Sequence, residues 1–308
     1  MAHETNVEAA SGSARLVLMA RDIKLSHSVF ALPFALLATY LAGAHRDRLP
    51  TFWELGLIVL CMVLARTVAM AINRWADASL DAANPRTAGR AIPSGRVSAS
   101  FVLGPAVVCG GLFTVATAGF WVMAANPWPV IAAPLVLAWL VGYSFTKRCT
   151  WLCHLVLGSA LALSPLAAAL AIDPAYLSSV HPYLLAAAVL CWVAGFDVIY
   201  ALQDIESDRQ TGIFSMPANL GPARALWVSR ALHLVALAML IAMAVWGRPV
   251  LADAFALGVV IVAVLLAVEH ALVWGSKTHR IHIAFLTVNG LISLLLGGLG
   301  IADAVRSL

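Results

Sequence analysis

Long apolar runs separated by short polar connections dominate the chain, and no amphipathic period of a soluble helix competes with them. Runs long enough to cross a bilayer, about 17–25 residues, fall at 28–44, 53–73, 101–124, 128–146, 152–172, 183–203, 224–246, 251–274 and 283–304. The pattern predicts nine helices, the first the shortest. Asn126-Pro127-Trp128-Pro129 and Asp173-Pro174 supply breakers between spans. The first 20 residues are polar and acidic and lack the apolar stretch of a signal peptide. They read as a tail ending in an interfacial segment, Leu16 to His27. No low-complexity linker interrupts the rest, so residues 28–308 are expected to form a single membrane domain.

Composition narrows the class. Hydrophobic residues make up 62% of the 308, mean hydropathy is +0.92 and charged residues are 11%, against roughly 25% charge in ordinary soluble domains. A large soluble core is excluded, and the expected fold class is all-α and polytopic. The pI of 8.9 reflects orientation rather than nucleic-acid binding, because no basic stripe with interleaved aromatics exists. Fourteen of the 19 Lys and Arg residues fall on one set of alternate connections. The positive-inside rule then places the N-terminus in the cytoplasm and the C-terminus outside. Cys61, Cys109, Cys149, Cys153 and Cys191 are odd in number. Cys149, Cys153 and His154 match no zinc spacing, and packed thiols are the simpler expectation.

Two inner connections, about 74–98 and 204–222, are long, and each opens with acids four residues apart. Side chains at i and i+4 of a helix are neighbours, roughly 5–6 Å apart at Cβ. Asn73, Asp77 and Asp81 therefore share a face if the second span continues past the membrane surface, with Asn84-Pro85 stopping it. In "FDVIYALQDIESD", Asp197, Tyr200, Ala201, Asp204 and Asp208 do the same, while Glu206 points away and is expected in solvent. Four unpaired carboxylates would repel one another at a poorly hydrated site. Hard divalent cations resolve this, since magnesium takes oxygen ligands, typically one or two carboxylates plus substrate phosphates. The neighbouring arginines would be left to hold a diphosphate. Solvated helix ends beside positive-inside arginines would explain one such pair, but not two matched clusters on one side.

These residues resemble a known family. "NRWADASLD" is similar to the first aspartate-rich motif, N-x-x-x-D-x-x-x-D, of the UbiA superfamily of membrane prenyltransferases, and "DIESD" to the second, D-x-x-x-D. "NPRTAGRAIPSG" and "YSFTKRCTW" resemble the stretches after the first motif and after the fourth helix. "IKLSHSVFALPFAL" and "YALQDIESDRQTGIFSMPANLG" look most like the 4-hydroxybenzoate polyprenyltransferase-like branch. Some members of that branch are assigned a hydroxynaphthoate acceptor in menaquinone synthesis. The resemblance implies nine transmembrane helices around a central cavity, both motifs at the cytoplasmic face of a bacterial-type inner membrane, and magnesium-dependent transfer of an isoprenoid chain to an aromatic ring.

On that reading Asp77, Asp81, Asp204 and Asp208, with Asn73, hold magnesium on the diphosphate of a polyprenyl donor. Arg86, Arg90, Lys147 and Arg148 share the phosphate oxygens. Asp197 is the candidate base or acceptor-orienting group, and Tyr200 the second. Arg66 shares the Asn73 face seven residues earlier; it either holds the carboxylate of an aromatic acid acceptor or pairs with Asp197. Lys24 and His27 are expected as interfacial anchors, Glu269 and His270 at solvated positions, and Asn289 in a helix–helix hydrogen bond. No obligate protein partner is evident. A secondary transporter is the rival from another class, but its coupling acids belong near the midplane. A metal-dependent phosphatidyltransferase would need a D-G and A-R pattern that the first cluster lacks.

Overall fold

The computed structural model describes residues 17–19, 22, 30–274, 281 and 283–308. Most of the tail and its interfacial segment, Lys24 and His27 included, lies outside the described residues, as do Lys277 and Arg280. Among the described residues all regular structure is helical. In chain order the helices are α1 (Leu32–His45), α2 (Phe52–Ala76), α3 (Ala78–Ala83), α4 (Ala99–Ala124), α5 (Trp128–Thr146) and α6 (Cys153–Ile172). Then follow α7 (His181–Ala201), α8 (Ile205–Thr211), α9 (Met216–Leu220), α10 (Pro222–Trp246), α11 (Asp253–Leu272) and α12 (Asn289–Arg306). A 3-10 turn, Pro174–Ser178, precedes α7, and a π-helical turn, Ile283–Val288, leads into α12.

Eight helices among the described residues are long and apolar enough to cross a membrane. Each coincides with a predicted run, the architecture expected of an integral membrane protein. The first predicted run is met by α1, of 14 residues, about 21 Å at 1.5 Å per residue and short of the ~30 Å hydrocarbon core. Residues 28 and 29 of that run lie outside the described residues.

Local chemistry sets the helix starts. Thr51 and Glu54 form a reciprocal capping box at α2, so two otherwise orphaned amides are satisfied at once. Ser98 accepts the Phe101 amide at 3.2 Å and opens α4. Pro129, Pro182 and Pro222 stand in the first turns of α5, α7 and α10, where a missing N–H costs nothing.

Helix α7 is the centre of the second half, packed between α6 and α10. Glycine makes both contacts possible. A Cβ at Gly158 would fall 2.3 Å from the Leu190 carbonyl oxygen, and one at Gly195 would fall 2.3 Å from the His233 ring. In the first half α2 packs on α4, and α5 touches α2, α4 and α6 more lightly. Between α1, α2, α4, α5 and α6 lies an apolar cavity of about 1290 Å³, its open mouth included. Ile58, Met62, Phe113, Phe120 and Leu140 line it.

One expectation needs correction. Glu269 is fully buried rather than solvated, and His270 is half-buried. Asn289 Nδ2 donates to Glu269 Oε1 at 2.6 Å, Trp192 Nε1 donates to Asn289 Oδ1 at 2.7 Å, and the His233 and His270 rings meet at 3.0 Å. Helices α7, α10, α11 and α12 converge there, a tertiary fact that a position near a helix end does not reveal. Asn289 makes the helix–helix hydrogen bond expected of it. All five cysteines are free thiols.

Candidate active site

Helix α2 runs to Ala76, and the chain bends at Asp77 without losing its four-residue register. The Asp77 amide donates to the Asn73 carbonyl at 2.9 Å and the Asp81 amide to the Asp77 carbonyl at 2.7 Å. Helix α3 then ends at Ala83, with Asn84 as its cap before Pro85. Asn73, Asp77 and Asp81 therefore stay together, as the spacing predicts. Asp77 is buried and its Oδ2 receives Lys147 Nζ at 2.5 Å and Asn73 Nδ2 at 3.0 Å. Arg148 Nη2 lies 3.3 Å from the other oxygen. Asp81 receives Arg90 Nη1 at 2.7 Å on both oxygens, with Arg74 at 3.8 Å.

The second cluster is built differently. Helix α7 ends at Ala201, and Asp204 stands at the start of the separate short helix α8. The first loop reaches across to it. Arg86 grips Asp204 with a fork, Nε to Oδ1 at 2.9 Å and Nη2 to Oδ2 at 2.6 Å, and its Nη1 donates to the Tyr200 hydroxyl at 2.9 Å. Asn84 Nδ2 adds a bond to Asp204 Oδ1 at 2.7 Å. Burial pulls the Arg86 guanidinium down, but the bond to Asp204 and the nearby Tyr200 and Asp204 charges leave it above its ordinary value. Asp208 has no such partner. Burial and then the Asp204 charge push its carboxyl above the usual range, against the Ser215 hydrogen bond and the Lys147 charge. Glu206 is exposed and accepts Gln210 at 2.7 Å, as expected.

Asp197 sits on α7, and its Oδ2 lies 2.7 Å from His154 Nδ1. A histidine from α6 thus takes that oxygen of Asp197. Arg66 lines the apolar cavity together with Tyr143, seven residues or about 10 Å along α2 from Asn73. The two loops, the Lys147-Arg148 turn and the cavity therefore meet at one end of the bundle.

The donor set for a cation is all oxygen: four carboxylates and the Asn73 amide. That chemistry fits magnesium. Among the described residues no three carboxylate, thiol or imidazole groups converge on one point, and Asp77, Asp81 and Asp204 each face a basic group. The residues thus fit ions that take one or two carboxylates and complete their shell with diphosphate oxygens and water, rather than an all-protein cage.

Four contributors were not singled out from sequence. Asn84 reads only as a helix stop, yet it binds Asp204. His154 reads as the neighbour of a thiol, yet it holds Asp197. Tyr143 is one of many aromatics, and Ser215 reaches Asp208 only through the fold. Asp22, the one described residue of the interfacial segment's end, accepts the Ala91 amide at 2.6 Å and fastens the first loop.

Residues 31–295 match the model of the UbiA prenyltransferase family. The chain is 33% identical over 190 residues to the 4-hydroxybenzoate octaprenyltransferase of Serratia proteamaculans (strain 568), which covers 60% of each chain. It is 30% identical over 223 residues to the protein of the same name from Pectobacterium atrosepticum, 71% of this chain and 72% of that one. Among solved structures, the apo UbiA homolog from Aeropyrum pernix K1 matches with a TM-score of 0.80 at 32% identity, covering 91% of this chain and 98% of that one. A UbiA homolog from Archaeoglobus fulgidus shares the fold, with a TM-score of 0.74 at 17% identity over 94% of this chain and 99% of that one. With two aspartate clusters and a basic turn gathered at one end of such a helical bundle, the chain belongs to the UbiA prenyltransferase family.

Proposed function

We propose that the protein transfers a polyprenyl chain from polyprenyl diphosphate to an aromatic acid of the 4-hydroxybenzoate type, at the cytoplasmic face of a bacterial inner membrane, in quinone biosynthesis. The observation that carries this reading is the Arg86 bridge, which draws both acid clusters to one place beside an apolar cavity. A diphosphate head group and a long hydrocarbon need such adjacent sites. The names of the Serratia and Pectobacterium relatives support the acceptor class. The Archaeoglobus protein was solved bound to GPP and Mg2+, which supports the donor and the ion.

Asn73, Asp77, Asp81, Asp204 and Asp208 would hold magnesium, which supplies positive charge to the departing diphosphate. Arg86, Arg90, Lys147 and Arg148 now neutralise Asp77, Asp81 and Asp204. When a diphosphate enters they exchange carboxylate for phosphate oxygens, and guanidinium forks suit that bidentate contact. Arg66, near the cavity's aspartate end, holds the acceptor carboxylate, since a cation lining an apolar cavity is poorly hydrated and favours an anionic partner. The electron-rich ring attacks the allylic cation left by C–O cleavage. Asp197 takes the proton released, and Tyr200, held by Arg86, is the second candidate.

The deciding experiment is a transfer assay in membranes, with a labelled polyprenyl diphosphate, with and without magnesium, against 4-hydroxybenzoate and a hydroxynaphthoate. Magnesium-dependent prenylated benzoate is expected. A naphthoate product alone would move the pathway to menaquinone, and active membranes that prenylate neither acceptor would overturn the enzyme reading.

A further inference from the structure

Asp197 differs from the other acids of the site in what holds it. Asp77, Asp81 and Asp204 each face an ammonium or guanidinium. Asp197 faces a ring whose charge is set by a second contact. His154 lies in the first turn of α6, 3% exposed. Its Nδ1 is 2.7 Å from Asp197 Oδ2, and its Nε2 lies 3.2 Å from the Met216 amide nitrogen. A backbone N–H only donates, so Nε2 must present its lone pair and carry no proton. The proton is then on Nδ1, where it donates to Asp197. A ring protonated on one nitrogen alone is neutral.

We infer that His154 is a positioning residue for the transfer reaction: a neutral Nδ1–H donor that aims Asp197 while leaving its negative charge uncancelled. The inference rests on the proposed role of Asp197 and deepens it. An acid that must accept a proton, or sit beside an allylic cation, is blunted by a lysine or arginine partner, which stabilises the carboxylate and weakens it as a base. A neutral imidazole fixes one oxygen and leaves that basicity. It does for a carboxylate what an orienting carboxylate does for a catalytic histidine.

The Met216 contact ties this geometry to the second loop. Met216 opens α9, and the two residues before it are fastened to the same site. The Phe214 amide donates to the Lys147 carbonyl at 2.8 Å, and Cys153 Sγ donates to the Phe214 carbonyl at 3.3 Å. Ser215 hydrogen-bonds Asp208. One short segment thus touches a metal-binding candidate, the basic turn and the tautomer of His154. Seating that segment fixes Asp197. The titratable groups facing His154 are Asp197 from α7, Cys153 from its own helix and, farther off, Asp208 from α8.

The test uses the full-length protein in lipid nanodiscs. Nitrogen-15 spectra of labelled histidine, assigned by comparison with His154→Gln, are expected to show a neutral ring protonated at Nδ1 near neutral pH. A ring protonated on both nitrogens would overturn the inference. Glutamine reproduces both contacts without charge, its amide N–H donating to Asp197 and its carbonyl accepting from Met216. His154→Ala is expected to lower kcat about 10- to 100-fold, as for other orienting partners, with the donor KM unchanged. His154→Gln is expected to restore most of that loss. A glutamine variant as slow as the alanine variant would overturn the positioning role. Asp197→Asn separates the two readings. Normal turnover there removes Asp197 from the chemistry, and the positioning role with it, whichever tautomer the spectra show.

Discussion

The two aspartate clusters share a spacing but not an electrostatic state. In the first, Asp77 and Asp81 each face two basic groups, drawn from the Lys147-Arg148 turn and from Arg74 and Arg90. In the second, Asp204 is held by Arg86 and Asn84, while Asp208 has a hydrogen bond from Ser215, a like-charged neighbour in Asp204 and no direct ion pair among the described residues. The first cluster is therefore balanced by its own surroundings, and the second borrows its cation from the first loop. Burying a carboxylate without a partner is costly, so the native fold keeps the acids paired until a better partner arrives. On the proposed function the arginines would do two jobs in succession, shielding the acids when the diphosphate is absent and gripping phosphate when it is present.

Several changes would break or sharpen that comparison. Asp77→Ala and Asp204→Ala should each lower magnesium-dependent transfer by about 10²-fold or more, as expected when a group stabilising transition-state charge is lost. Near-normal turnover in either, measured in membranes with saturating donor, would remove the paired-clamp reading. Arg86→Gln should affect both clusters, since it cuts the bridge between them. Losing one partner of a hydrogen-bonded charge pair typically costs ~2–5 kcal/mol, so donor affinity measured by titration should fall by at least tenfold. A fall confined to the acceptor would show that Arg86 serves Tyr200 instead. Arg66→Gln should raise the acceptor KM by about tenfold or more, in line with the ~1.5–3 kcal/mol of a hydrogen bond to a charged group, with the donor KM unchanged. Equal loss for both substrates would place Arg66 in support of the fold. Glu206→Ala is the control. It lies in the second cluster's sequence but in solvent, and turnover should stay within about twofold, the range of ordinary surface changes.

Much of this was legible from the chain. Spans are readable because a bilayer demands a continuous apolar run, a constraint that acts residue by residue along the sequence. The aspartate motifs are readable because i and i+4 neighbours are fixed by helix geometry alone. What stayed hidden depends on contacts between distant segments. Asn84 meets Asp204 across 120 positions and His154 meets Asp197 across 43, and nothing local marks either pair. Glu269 shows the same limit from the other side. Near a helix end it reads as solvated, yet three other helices close over it. Arg66 stands out along the chain because a guanidinium inside a span is expensive, but nothing local chooses between its two expected partners.

The glycines at 158 and 195 carry a mechanical consequence. Gly158 of α6 lies against the Leu190 carbonyl of α7, and Gly195 of α7 against the His233 ring of α10, so a side chain at either glycine would push these helices apart. Helix α5, across the cavity, has only 22% of its most apolar window buried, against 67% for α7. On the proposed function, prenyl donors of different length would be accommodated on the lipid-facing α4–α5 side, while the close α6–α7–α10 packing would keep Asp197 aligned. Room for the hydrocarbon and the seating of Asp197 thus fall to different helices of the bundle.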